Sequence, residues 1–170
     1  MDLKKHIRSI PDFPKKGILF KDITTLLSNK KAFKAAIDSL AKILKNKKID
    51  YIVAAESRGF IFAGVLSYKL GCGFIPVRKP GKLPYKTYKH TYSLEYGSDS
   101  LEIHQDAFPK NSNVLILDDL LATGGTALAL IELAKKLKAN IVGVVFLIEL
   151  TGLNGKNKLK DYPVYSLLKF

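Results

Sequence analysis

The chain has 170 residues, and its 28 Lys plus Arg against 15 Asp plus Glu give a formal charge of +13. With 47% hydrophobic residues it can bury a core, which excludes intrinsic disorder, and its length suits one compact domain of roughly 100–200 residues, 1–170 throughout. The richest apolar run, Ile141 to Leu150, contains Gly143 and Glu149 and falls well short of the ~20 residues of a membrane span, and the single Cys72 excludes an intramolecular disulfide.

The opening Met1 to His6 has no apolar segment behind it, so no secretory leader is expected, and the lone cysteine fits a reducing cytoplasm. From Phe33 the apolar residues Phe33, Ala36, Ile37, Leu40, Ile43 and Leu44 recur at helical spacing, which predicts a helix with one buried face and lysines on the other. Tyr51 to Ala55 has no polar alternation and reads as a strand buried on both sides. Phe60 to Leu70 reads as an apolar helix that Gly71 can end. Phe74 to Val77 and Val114 to Leu117 are further buried strands, Thr126 to Leu137 a helix, and Ile141 to Ile148 a β-branched strand.

Strands alternating with helices predict an α/β fold: a central, mostly parallel sheet flanked by helices, with ligand sites beyond the carboxyl ends of the strands. Chemistry is therefore expected after Ala55, Val77, Leu117 and Leu147. The polar stretch from Arg78 to about Glu102 breaks the alternation and is longer than the usual connection of about 4–6 residues. It reads as an active-site flap, as a β-hairpin with arms Ser93–Tyr96 and Ser100–Ile103 around Gly97–Asp99, or as both.

The informative segment runs from Val114 to Thr126. An apolar strand delivers Asp118 and Asp119, and a loop of small and hydroxyl residues, Ala122-Thr123-Gly124-Gly125-Thr126, then enters a helix. Small residues admit a ligand close to the backbone, and the free N–H groups and positive dipole end of a helix start hold a phosphate. The segment lacks the Gly-Lys-Ser/Thr ending of a Walker loop, and its glycines are adjacent rather than spaced as in a dinucleotide fingerprint. A phosphate loop beside two carboxylates suits a ligand with a phosphate at one end and hydroxyls or a metal at the other, as in a ribose 5-phosphate.

This strand, acidic pair and Ala-Thr-Gly-Gly-Thr loop resemble the hallmark of the type I phosphoribosyltransferase family. The resemblance extends along nearly the whole chain and is nearest to those members that use adenine. It includes Ile10–Pro14 with Gly17–Ile23, Glu56–Phe60, Arg78–Pro84, Tyr92–Gly97, Glu149–Leu150 and Tyr165–Leu168. It implies the type I phosphoribosyltransferase fold with an amino-terminal hood over about 1–30 and a mobile flap over about 78–102. The implied reaction is purine salvage: adenine plus phosphoribosyl pyrophosphate (PRPP) giving AMP and diphosphate.

The resemblance also implies residue roles. Asp118 and Asp119 hold the ribose hydroxyls, and Ala122, Thr123, Gly124, Gly125 and Thr126 take the 5-phosphate. Arg58, Lys79 and Lys82 face the pyrophosphate, with Mg²⁺ carried on the substrate rather than in a protein metal site. Glu95 handles the proton at the adenine imidazole edge, and Leu19, Phe20, Lys21 and Leu150 surround the base. Lys21 stands where many members have arginine, and Tyr85 follows Pro84 where glycine is common. The peptide joining Glu56 and Ser57 can be cis in this family, whose members commonly form homodimers.

Read from the residues alone, Lys79 and Lys82 are equally two surface lysines, Glu95 a solvated glutamate, Phe20 a core aromatic and the acidic pair a direct metal site. Only Arg8, Arg58 and Arg78 are arginines, so 25 of the cations are lysines scattered along the chain, an arrangement that argues against a nucleic-acid face. Neither nucleic acid nor membrane is an expected partner. The competing functions are a PRPP sensor without catalysis, an RNA-binding module, and an enzyme for hypoxanthine or guanine.

Overall fold

In the structure, a computed structural model that describes residues 1–94 and 97–170, Arg8–Ile10 (β1) and Phe20–Asp22 (β2) pair antiparallel, with Ser9 opposite Lys21. A short helix, Thr24–Ser28 (α1), leads to Lys30–Leu44 (α2), whose start is fixed by the Asn29 side chain accepting from the N–H groups of Lys31 and Ala32. That cap moves the start ahead of Phe33, where the apolar spacing begins. The buried stripe is Ala32, Ala36, Ile37, Leu40, Ala41 and Leu44, each large member contributing roughly 1.5–3 kcal/mol of burial. Ile43 departs from the expectation and stands exposed.

Tyr51–Ala55 (β3) is followed by Arg58–Leu70 (α3), which ends at Gly71 with φ 69°. Gly73–Val77 (β4) comes next, and then a hairpin of Thr87–Leu94 (β5) and Gly97–His104 (β6). Asn113–Leu121 (β7), Gly125–Lys136 (α4), Asn140–Glu149 (β8) and Val164–Lys169 (β9) complete the chain. The five-stranded sheet has the order β4-β3-β7-β8-β9 and is parallel throughout.

Strand side chains alternate between two cores, as period 2 requires. Ile52, Ala54, Leu115, Leu117, Val145 and Leu147 face the side covered by α2 and α3. Val53, Ala55, Val114, Ile116, Val144 and Phe146 face α4. Both faces are covered, which is why these strands read as unbroken apolar runs.

Gly97, Ser98 and Asp99 are strand residues, opposite Leu94, Ser93 and Tyr92, rather than a turn between the arms. This register buries Leu101 and Ile103 beside α4, and a slip of one residue would turn both outward. No described helix is long and apolar enough to cross a membrane.

Candidate active site

Every feature singled out in Val114–Thr126 lies at the carboxyl edge of the sheet. Strand β7 continues past its apolar run through Asp118 and Asp119 before the chain turns, so both carboxylates ride on a rigid element. They line a cavity of about 360 Å³ together with Glu56, Ser57, Arg58, Lys79, Tyr92, Asp99 and Thr126. Three strand ends, the flap and the start of α4 therefore meet at one place. The adjoining loop, Ala122 to Thr126, encloses a smaller cavity of about 60 Å³ with Phe146 as its floor. Gly124 caps α4 in the left-handed region at φ 81°, which directs the free N–H groups of the first turn to the loop.

Asp119 is buried, and Arg58 Nε lies 2.7 Å from its Oδ2. The contact is an ion pair without an aligned hydrogen bond, so this buried oxygen retains an open acceptor position. Asp118 Oδ1 accepts from the Asp119 N–H at 2.9 Å. Burial and then the neighbouring Asp119 charge push the Asp118 carboxyl well above the ordinary carboxylate range. Burial also raises Asp119, with Arg58 opposing. A half-buried Asp118 beside a buried Asp119 whose Oδ2 has an open acceptor position suits a ligand that donates hydroxyl hydrogens.

The Glu56–Ser57 peptide is cis. Glu56 Oε1 accepts from the Lys79 N–H at 2.7 Å and from Arg78 Nε at 3.2 Å. Burial works to raise the Glu56 pKa, and these bonds outweigh it, so the group lies below its usual value. Arg78 and Glu102 exchange backbone hydrogen bonds at the base of the hairpin. Glu56 thereby ties the β3–α3 connection to the flap, placing Lys79 in the cavity. Lys79 Nζ is paired with Asp99 Oδ2. Lys82 is exposed in the following turn, outside the residues lining the cavity, and its charge reaches Glu56.

The residues expected around a base lie apart in their surroundings. Phe20 packs edge-on to Phe13 with centroids 5.1 Å apart, and the Arg58 guanidinium sits 5.4 Å from its ring centre. Leu19 is exposed, and Leu150 is half-buried at the edge of the core shared with α2 and α3. Lys21 alternates to the other side of β2, where its Nζ donates to Ser9 Oγ at 2.9 Å and lies 4.2 Å from the Phe170 ring centre. The side chain of Glu95 falls outside the described residues.

Several site residues carry no sequence signal of their own. Glu56 and Arg78 sit inside resembling blocks without an expected side-chain role. Tyr92 reaches Thr126 Oγ1 and Asp99 Oδ2, each at 3.4 Å, across separations that no spacing rule connects. Gly155 packs against the Ala122–Thr126 loop from a segment with no motif. Among the described residues no three His, Cys, Asp or Glu side chains converge as a metal cage.

The model of the phosphoribosyl transferase domain matches residues 22–170. The chain is 60% identical to an adenine phosphoribosyltransferase of Brachyspira hyodysenteriae over 170 residues, covering 100% of both. It superposes on the crystal structure of adenine phosphoribosyltransferase from Thermoanaerobacter pseudethanolicus with a TM-score of 0.97 and 54% identity, covering 99% of this chain and 98% of that one. The Saccharomyces cerevisiae adenine phosphoribosyltransferase, solved with an imino-altritol bisphosphate and adenine, gives a TM-score of 0.92 and 46% identity over 98% and 96% of the two chains.

Proposed function

The chain belongs to the phosphoribosyltransferase family, and from that premise we propose that it transfers the 5-phosphoribosyl group of PRPP to adenine, giving AMP and diphosphate in purine salvage. The observation that carries this reading is the meeting of Asp118, Asp119, Arg58, Lys79 and Thr126 around one cavity that adjoins the Ala122–Thr126 loop. The loop and α4 start take the 5-phosphate, and Asp118 and Asp119 accept from the ribose hydroxyls. Arg58 and Lys79 neutralise the departing pyrophosphate, with Lys82 adding charge from the rim.

The sugar carbon becomes cation-like as pyrophosphate leaves. Negative charge at Asp118 and Asp119 favours that state more than the ground state, a contribution to rate as well as to binding. Glu95 handles the proton at the adenine ring, and closure of the flap over 78–102 excludes water that would hydrolyse the sugar. Phe20 and Leu150 give the base apolar contact, while the backbone of Leu19 to Lys21 meets its edge. Lys21 contributes through that backbone, since its side chain is engaged with Ser9 and Phe170.

The donor set fits Mg²⁺ held on substrate oxygens beside Asp118 and Asp119 rather than a closed protein cage. The ion would supply further neutralisation of the leaving group. The enzyme works in the cytoplasm as a homodimer. Ile61, Val65 and Tyr68 form an exposed apolar stripe on α3 that a second copy would cover, and Tyr68 is 92% exposed in the single chain.

The test is to incubate the pure protein with PRPP, Mg²⁺ and each free base in turn, and to measure diphosphate. Release with adenine is expected. Release with guanine or hypoxanthine but not with adenine, or no release with any base, would overturn the assignment.

A further inference from the structure

One charge in the cavity runs against its expected use. Besides the acidic pair and Glu56, whose carboxylate is held by the Lys79 N–H and Arg78, a pocket for a polyanion contains a fourth carboxylate, Asp99 of β6. Its Oδ2 is paired with Lys79 Nζ, the same ammonium that the proposed function assigns to pyrophosphate. Burial works to raise the Asp99 pKa, and the bonds from Lys79 and the Ser100 N–H outweigh it, which keeps the group ionised. The Lys79 side chain is 43% exposed, so an exchange of partners needs no buried charge to cross an apolar barrier.

We propose that Asp99 is a positioning residue, a stand-in counterion that holds Lys79 and yields it to pyrophosphate when substrate binds. The inference rests on the reading of Lys79 as a pyrophosphate ligand. The Lys79 N–H is held by Glu56 and Asp99 lies in the β5–β6 ladder, so the exchange itself needs only a turn of the lysine side chain.

Tyr92 gives Asp99 a second partner: its hydroxyl donates to Asp99 Oδ2 at 3.4 Å and meets Thr126 Oγ1 at the same distance, so the carboxylate keeps a donor when Lys79 turns away.

The test is a double-mutant cycle read by calorimetric titration of inorganic pyrophosphate with Mg²⁺ into the intact enzyme, with Tm measured for each variant. Lys79→Gln weakens binding. Asp99→Asn tightens it by roughly two- to fivefold, the scale of a partly exposed ion pair, and has no effect in the Lys79→Gln background. Equal tightening in both backgrounds would mean simple charge repulsion and overturn the exchange, as would unchanged or weaker binding by Asp99→Asn when Lys79→Gln weakens it. Lys79→Gln without effect would reject the assignment of Lys79 itself, a distinct result that removes the premise. Should Asp99→Asn fold poorly, Asp99→Ser removes the same charge and is held to the same outcomes.

Discussion

Gly124 and Gly155 meet back to back beneath the phosphate loop. A Cβ on Gly124 would stand 2.6 Å from the Gly155 carbonyl oxygen, and one on Gly155 would collide with the carbonyl oxygen of Ala122. Neither obstacle is a flexible side chain, so relief requires the backbone to move. The curvature of the Ala122–Thr126 loop, the proposed phosphate cradle, therefore depends on a residue about thirty positions away, in the segment after β8.

Gly155→Ala should consequently raise the KM for PRPP by about tenfold or more, because sub-ångström displacement of a phosphate cradle costs on the order of 1.4 kcal/mol. The KM for adenine should move much less. Gly152→Ala is the control: nothing lies within 4 Å of its added Cβ, and near-normal kinetics are expected. Steady-state kinetics with each substrate varied in turn check both.

Asp118→Asn should trade stability against activity. The folded-state pKa of Asp118 is raised by burial and by Asp119, so its carboxyl favours folding below the unfolded pKa and loses that contribution as pH rises through the folded value. At neutral pH the amide removes the penalty, and a gain of about 1 kcal/mol, or about 2–4 °C in Tm, is expected. Turnover should fall at least tenfold, because charge at the sugar carbon is no longer favoured. The acidic limb of the wild-type pH–rate profile should lie above the ordinary carboxylate range and shift in the variant.

Asp22 gives the opposite sign. The Thr24 N–H first, then the Arg8 guanidinium, hold its pKa at about 2 against an ordinary value near 3.8. A depressed carboxylate contributes stability above its unfolded pKa and loses it as pH falls, here between about pH 4 and pH 2. Urea midpoints should drop across that window in the wild type and much less in Asp22→Asn. Since Arg8–Asp22 fastens β1 to β2, which carries Phe20, the variant should also raise the KM for adenine.

Glu95→Gln and Glu95→Ala should lower kcat by roughly 10²-fold or more while leaving KM for both substrates within a few-fold, the pattern of a proton-handling group. Near-normal turnover in both variants would reject that role.

The chain order of residues determined the buried strands and the strand, acidic pair, loop and helix-start unit on its own, because both patterns are local. Apolar runs from Tyr51 to Ala55 and Val114 to Leu117 encode burial on two sides, and Asp118 to Thr126 is a continuous strand, acidic pair, loop and helix start whose parts need no distant partner to be recognised. The parallel pairing of β9 and the strand status of Gly97 to Asp99 were less legible, since short polar-flanked segments gain their conformation from the neighbour they pair with. Tertiary structure alone decided the charges: that Arg58 serves Asp119 and Phe20 together, that Glu56 grips the base of the flap, and that Lys79 has Asp99 as its resting partner. Periodicity reports how a residue meets its own element, whereas an ion pair forms between side chains that chain crossings bring together. No spacing along the sequence records that second kind of neighbour.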